Sequence, residues 1–317
     1  MPREDVILVG VDGSEASEHA LEWAIQEAKR RSWSIKLSCA YALPAFSAAS
    51  LEGGYAVLDS AAVKTGAQGV VEQCVKKVEA AGLKASSYVE VGDPAGVLVE
   101  LSKTARMAVV GTRGRGGFAE RLMGTVSSAL PAHGHCPTVV VPLRTPQTDR
   151  TQIKPIRRIV VGVDGSASSD VALERAVKET MTWDATLTAF SSVPVSTGAG
   201  LFAWAPGAVD HEAIMDDLET GLDAAIERVV KRVGAPDDLR IRRHGLDGTA
   251  SSLLVEFSTA VDLVVVGSRG RGGFAGLLLG STSQAVLHHA ACPVMVVPAR
   301  VKDEGLPPEA VAGGGLS

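Results

Sequence analysis

Two copies of one glycine- and arginine-rich segment carry the residues of this chain that are best suited to binding chemistry. The first copy, residues 109–127, reads VVGTRGRGGFAERLMGTVS, and the second, residues 265–283, reads VVGSRGRGGFAGLLLGSTS. Glycine allows close backbone approach to a ligand, and free N–H groups at the start of a helix point toward an anion. Positive charge is added beside the loops by Arg113, Arg115, Arg269 and Arg271. The pattern predicts two sites for a phosphate-bearing ligand.

The segment does not match the two most familiar phosphate motifs. GRGGFA fits the short dinucleotide pattern G-x-G-x-x-A, but it follows the fourth predicted strand of each half, and no acid ends the next strand to hold a ribose. A Walker A loop closes on Gly-Lys-Ser/Thr, and neither segment contains a lysine. The spacing that recurs is instead Gly111-x2-Gly114-x9-Gly124-Thr125 and Gly267-x2-Gly270-x9-Gly280-Ser281.

An aspartate ends the first predicted strand of each half, as Asp12 or Asp164. In an open parallel sheet a ligand lies beyond the carboxyl ends of the strands, where the winding direction reverses. If the first and fourth strands are neighbours there, each aspartate meets a glycine loop in one crevice. An aspartate can also cap the following helix, and we favour ligand contact over that alternative.

Short β-branched runs alternate with segments of helical periodicity, which predicts an α/β protein made of two tandem, open, five-stranded parallel sheets with helices on both faces. Strands are predicted near 6–11, 35–42, 84–91, 108–111 and 138–141, and again near 158–163, 186–191, 239–244, 263–267 and 293–297. Helices are predicted after Ser14, Gly124, Ser166 and Gly280, and over 59–81, 94–104, 210–233 and 249–259. Pro131, in place of Leu287, is expected to kink its helix or end it early.

The repeat predicts domains at 1–143 and 157–300, a linker at 144–156 and a disordered tail at 301–317.

A net charge of −5 argues against a nucleic-acid surface, and the lack of an 18-residue apolar run or a leader predicts a cytosolic protein without a membrane span. Reduced thiols are expected, since the cysteines have no paired spacing. His133 with Cys136, and His289 with Cys292, are too few for a metal site, so a loop before a buried strand is preferred.

The compound pattern, with CPTVVVP and CPVMVVP closing the two copies, resembles the universal stress protein family in its ATP-binding, tandem-domain form. The resemblance implies a nucleotide site in each half, occupied by ATP with Mg²⁺ and no protein-bound metal, with Phe190 bulkier than is usual at its position. The implied nucleotide-binding residues are Val11, Asp12, Ala40, Val110, Gly111, Arg113, Gly114, Gly124, Thr125 and Val126, and then Val163, Asp164, Phe190, Val266, Gly267, Arg269, Gly270, Gly280, Ser281 and Thr282.

The function expected from the resemblance is that of a cytosolic, nucleotide-responsive regulator of stress or dormancy responses that acts on a protein partner. No general base is evident at the phosphate end, so turnover would be at most that of a weak ATPase. Two alternatives stay open. One is a slow ATP hydrolase or nucleotidyl transferase using the same crevice. The other is an assembly scaffold in which the last strands, containing Val139 and Val296, pair within the chain as a pseudo-dimer or between chains as a homo-oligomer.

Overall fold

The structure is a computed structural model that describes residues 3–41, 60–112, 123–143, 155–194, 210–270 and 279–299. The first half contains β1 (Glu4–Gly10), α1 (Glu15–Arg31), β2 (Ser34–Tyr41), α2 (Ser60–Ala80), β3 (Ala85–Val91), α3 (Pro94–Leu101), β4 (Ala105–Gly111), α4 (Thr125–His133) and β5 (Thr138–Val141). The second half contains β6 (Arg158–Gly162), α5 (Ala167–Trp183), β7 (Thr186–Val193), α6 (His211–Val233), β8 (Ile241–Asp247), α7 (Ala250–Phe257), β9 (Leu263–Gly267), α8 (Ser281–His289) and β10 (Val294–Val297).

The strands of both halves belong to one ten-stranded sheet in the order β3-β2-β1-β4-β5-β10-β9-β6-β7-β8. All neighbours within a half are parallel, whereas β5 and β10 pair antiparallel through Val139 and Met295 at the centre of a three-residue ladder. The predicted α/β class with parallel strands is confirmed. The prediction of two separate sheets is corrected, because the valine-rich last strands join edge to edge. The pairing predicted for these strands therefore occurs within the chain.

Apolar side chains cover both faces of the sheet, as expected for parallel strands that lie between helices. One core lies under α1, α2, α5 and α6 and includes Ile7, Val9, Ile159 and Val161. The other lies under α3, α4, α7 and α8 and includes Leu8 and Val160, the residues that alternate with the first set. Each core contains residues from both halves and so runs continuously across the β5–β10 junction.

Of the two outcomes expected for Pro131, a kink or an early stop, the early stop does not occur. Helix α4 has nine residues, as does α8, and both end with an N–H bonded four residues back, from Gly134 to Leu130 O (2.8 Å) and from Ala290 to Val286 O (2.9 Å). Pro131 lies in the last turn and is buried, so only one helical hydrogen bond is lost. Packing against the core compensates for the missing donor.

The predicted linker and tail fall mostly outside the described residues, which end at 143 before the linker and at 299 before the tail. Two linker positions are described, and one of them, Ile156, is 3% exposed and packs in the core under α1 and α5. This part of the predicted linker is therefore part of the second half. Among the described helices, none is long and apolar enough to cross a membrane.

A buried ion network joins α1 to α5 where the two halves meet. Glu27 and Glu179 are fully buried and occupy equivalent positions in two helices of equal length. Arg31 bonds to both carboxylates, at 2.6 Å from Glu179, and Arg175 lies 2.7 Å from Glu179. The indole N–H of Trp183 donates to Glu27 at 2.8 Å. The helices thus share one network that spans both halves.

The two carboxyl groups of this network respond differently to their surroundings. Burial, and then the negative charge of Glu179, raise the pKa of Glu27 to about 7. Burial also acts to raise the pKa of Glu179, but the positive charges of Arg31 and Arg175 outweigh it and leave that pKa below its ordinary value. The folded protein therefore holds a proton on Glu27 at a pH where the unfolded chain has released it.

We expect the Glu27 contribution to stability to be fully present below about pH 4.5 and to be lost as pH rises to about 7. Because one pKa unit corresponds to about 1.4 kcal/mol, the loss should be on the order of 3 kcal/mol. Glu27→Gln mimics the protonated carboxyl and should flatten this slope. Urea unfolding of wild type, Glu27→Gln and the exposed control Glu100→Gln across this range checks the prediction, which fails if Glu27→Gln keeps the wild-type slope.

Candidate functional site

The candidate site of each half lies at the reversal in strand order. In the first half β1 lies between β2 and β4, and in the second half β6 lies between β7 and β9. The chain thus winds outward in both directions from these central pairs, which leaves a crevice at the carboxyl ends of β1 and β4, and of β6 and β9. The predicted neighbouring of the first and fourth strands is confirmed in both halves.

Gly111 and Gly267 end β4 and β9 against the start of a helix. A Cβ on Gly111 would lie 2.5 Å from the carbonyl oxygen of Ala16, and one on Gly267 would lie 2.6 Å from Ser168 Oγ. Real Cβ atoms do not approach other atoms this closely, so the strand can reach the helix only where a side chain is absent. These two glycines bring the strand end and the first turn of α1 or α5 together.

The two strand-end aspartates do not cap the following helices. Ser14 and Ser166 do so, each accepting a hydrogen bond from the N–H three residues on, at 3.2 and 3.1 Å. Asp12 accepts from the backbone N–H and hydroxyl of Ser14 at 3.0 and 2.6 Å, and Asp164 accepts from the N–H of Ser166 at 2.9 Å. Each carboxylate therefore fixes the turn that leads into its helix.

Two helix starts at the crevices lack a side-chain cap. The N-cap residues of α4 and α8 are Gly124 and Gly280, and neither helix has a capping hydrogen bond from a side chain. In contrast, side chains cap α1, α3, α5, α6 and α7. The first N–H groups of α4 and α8 have no helical partner, and the helix dipole adds positive potential there. This is the arrangement that binds anions.

Hydrogen bonds fix each uncapped helix start beside a strand end. The N–H of Gly280 donates to Ser268 O at 2.8 Å, and the Ser283 hydroxyl donates to Ser268 O at 3.2 Å. In the first half the N–H of Gly124 and the Ser127 hydroxyl both donate to Thr112 O, at 3.1 and 2.8 Å. The same arrangement thus occurs twice.

A pocket of about 410 Å³ opens in the second half at this place. Its wall brings together every residue predicted for the second site, namely Val163, Asp164, Phe190, Val266, Gly267, Arg269, Gly270, Gly280, Ser281 and Thr282. A Cβ on Gly270 would lie 2.6 Å from the Asp164 carboxylate, so the loop backbone passes directly over this side chain. The aspartate and the glycine loop share one crevice, as the spacing predicted.

The first half repeats this framework in its described residues. Val11 and Val110 are buried at the ends of β1 and β4, Asp12 and Ala40 are half-buried, and Thr125 and Val126 follow Gly124 at the start of α4. Arg113 and Gly114 lie outside the described residues, as do Arg115 and Arg271.

Strand register corrects one correspondence that the sequence suggested. Gly10 pairs with Ser38 in the first half and Gly162 with Phe190 in the second, so Phe190 is equivalent to Ser38 and not to Ala40. The equivalent of Ala40 is Ser192, which lines the second pocket. Phe190 is 1% exposed and its ring lies 5.4 Å from that of Phe257. The Phe190 ring therefore fills the core beneath the pocket and also forms part of the pocket wall.

Sequence reasoning missed seven other residues of the second pocket. They are Gly162, Ser169, Ser192, Ala250, Leu254, Leu279 and Ser283. Ser283 could have been found, since it repeats Ser127 at the end of both glycine segments. Ala250 and Leu254 could not, because they come from α7, which approaches the crevice only through the tertiary fold.

Known proteins share both the sequence pattern and the fold. The family model described as the universal stress protein family matches residues 5–142 and again 155–298. The chain belongs to this family. Universal stress protein Rv2623 of Mycobacterium tuberculosis is 34% identical to it over 302 residues, which cover 92% of this chain and 95% of that protein.

Two further proteins are similar to this chain, one in sequence and one in fold. Universal stress protein Rv2005c of M. tuberculosis is 33% identical over 298 residues, covering 92% of this chain and 96% of that protein. The crystal structure of a universal stress protein from Archaeoglobus fulgidus matches with a TM-score of 0.67 at 22% identity, covering 93% of this chain and 99% of that one. The second likeness concerns the fold alone.

We predict that Gly111→Ala destabilises this universal stress protein by about 1 to 3 kcal/mol, because the added methyl group overlaps Ala16 and forces the strand from the helix. Gly66→Ala is the matched control, since nothing lies within 4 Å of its Cβ position in α2. There the same change should stabilise by about 0.5 to 1 kcal/mol. Urea unfolding of both variants measures the difference, and a stable Gly111→Ala protein would contradict the close contact.

Proposed function

We propose that this universal stress protein binds ATP as its Mg²⁺ complex in both crevices and acts as a nucleotide-responsive regulator of stress or dormancy responses. The observation that carries the proposal is the pair of uncapped helix starts, α4 and α8, each fixed beside a strand-end glycine. A triphosphate would supply the acceptors that the N–H groups lack, and its charge would complement the helix dipoles.

The wall of the second pocket supports a nucleotide rather than a simple anion. Val163, Val266 and Leu254 offer apolar surface for a base and sugar. The glycines at 270 and 280, with the backbone and side chain of Arg269, offer donors and positive charge for phosphates. A pocket that combines apolar walls with a few polar groups is typical of small-molecule sites. Mg²⁺ would bind chiefly through the phosphates.

Binding without rapid turnover fits the chemistry of this wall better than catalysis does. Among its described residues the ionisable side chains are Asp164 and Arg269. Asp164 already accepts the N–H of Ser166, and arginine stays protonated, so neither is an evident base for activating water. Incubation with labelled ATP tests the alternative of a weak hydrolase or nucleotidyl transferase, and release of ADP or AMP above a buffer control would favour it.

Replacing both helix-cap glycines by aspartate should separate stability from binding. The N-cap φ and ψ are −67° and 163° at Gly124, and −73° and 157° at Gly280, which suit an aspartate cap. The Gly124→Asp/Gly280→Asp variant should gain only about 0.3 kcal/mol per cap in the absence of ligand, because glycine is itself a tolerated N-cap residue. It should also lose the Mg-ATP effect, because its carboxylates occupy the N–H groups and repel phosphate.

Thermal unfolding with and without Mg-ATP measures both effects. Wild type should gain about 2.7 kcal/mol per site when the free ligand is one hundred times its dissociation constant. The matched control is Gly124→Ala/Gly280→Ala, which adds no charge. At Gly280 its Cβ would find ordinary contacts of 3.5 Å. Absence of any shift in wild type, or an equal shift in the aspartate variant, would refute nucleotide binding at these helix starts.

A further inference from the structure

A second opening of about 870 Å³ lies at the amino ends of β6, β7 and β8, away from the carboxyl-end crevice of the same half. We call it the arginine groove, because Arg30, Arg157, Arg158, Arg240 and Arg242 all line it. Arg30 comes from the last turn of α1, in the first half, and its guanidinium lies 5.5 Å from the centre of the Trp183 ring. The groove is therefore built by both halves of the chain.

The positive charge of the arginine groove is only partly compensated. Arg240 bonds to the side chain and carbonyl of Asp184, and Arg158 lies 3.6 Å from Asp262. The Asp262 carboxylate is also engaged by two backbone N–H groups, at 3.0 and 2.9 Å. In the described part of the chain no carboxylate forms an ion pair with the side chains of Arg30, Arg157 or Arg242, all of which are exposed.

The first half has no such charge concentration at the equivalent place. Strand register matches Arg157 to Asp5, and Arg240 and Arg242 to Lys84 and Ser86. Asp5 there is paired with Arg106 at 3.1 Å, and Glu4 with Lys36 at 3.6 Å. The cluster therefore does not follow from the repeated fold. Four of its five arginines belong to the second half and Arg30 to the first, in a protein whose net charge is −5.

The geometry points to the arginine groove as an anion site, separate from the two crevices, for a small polyanion that carries two or more phosphate groups. Guanidinium groups present planar pairs of donors that match phosphate oxygens, and they lose less hydration than ammonium groups on binding. The hydroxyl-bearing residues Thr186 and Thr188 also line the groove. An occupant would contact Arg30 of one half and the remaining arginines of the other, and so would hold the halves together.

Calorimetric titration of the full chain with sodium tripolyphosphate at low ionic strength tests this site. Arg157→Glu/Arg242→Glu should weaken groove binding about tenfold or more, since two attractions become repulsions. The matched control, Lys76→Glu/Lys84→Glu, makes the same charge change at exposed lysines of the first half and should bind as wild type does. Neither double variant changes a residue of the two crevices, so the difference in tripolyphosphate affinity between the two variants measures binding at the arginine groove.

Three outcomes would overturn the proposal. One is equal weakening in both double variants, which would indicate a general effect of net charge. Another is an unchanged affinity in Arg157→Glu/Arg242→Glu. The third is tighter binding of a hexaglutamate peptide than of tripolyphosphate, which would assign the groove to acidic peptides. If the glutamate variant has a lowered unfolding temperature, Arg157→Gln/Arg242→Gln replaces it, with a smaller loss expected in the same direction.

Discussion

The antiparallel pairing of β5 with β10 is the contact on which the rest of the molecule depends. It uses the edges that the two halves would otherwise expose and turns two five-stranded arrays into one sheet. Because both sheet faces are covered by helices, the same contact makes each apolar core continuous through the junction. The Glu27–Glu179 network then forms where α1 and α5 meet on one of these faces.

Much of this fold was predictable because the periodicity is strong. Valine-rich runs, capping serines at Ser14 and Ser166, and acids or bases at helix ends fixed the order of strands and helices to within a few residues. The joining of the sheets was harder to predict. A run such as TVVV indicates a buried strand, but its composition does not say whether the next strand belongs to the same chain or to another.

At the candidate site as well, the features set by the local sequence were predictable, and those set by the tertiary fold were not. The repeated glycine spacing marked Gly111 and Gly267 as ligand-binding positions. It did not reveal that both glycines also let a strand end approach a helix, at Ala16 and Ser168, because those contacts depend on the tertiary fold. Matching Ala40 with Phe190 was wrong, since one-residue accuracy in β2 and β7 needs the strand register. The arginine groove was not predicted, because it assembles Arg30 with residues more than one hundred positions away.

The reversed direction of the second half has a consequence for communication between bound ligands. Because β1 and β6 run in opposite directions within one sheet, the β1/β4 crevice and the β9/β6 crevice open at opposite ends of the strands. The two crevices lie four strand spacings apart across the sheet. At about 4.8 Å per spacing the lateral separation alone is roughly 19 Å, more than twice the Debye length of about 8 Å at physiological salt. If both crevices hold a nucleotide, as proposed above, the charge of one ligand is largely screened from the other, and cooperativity between them would have to pass through the shared strands and cores.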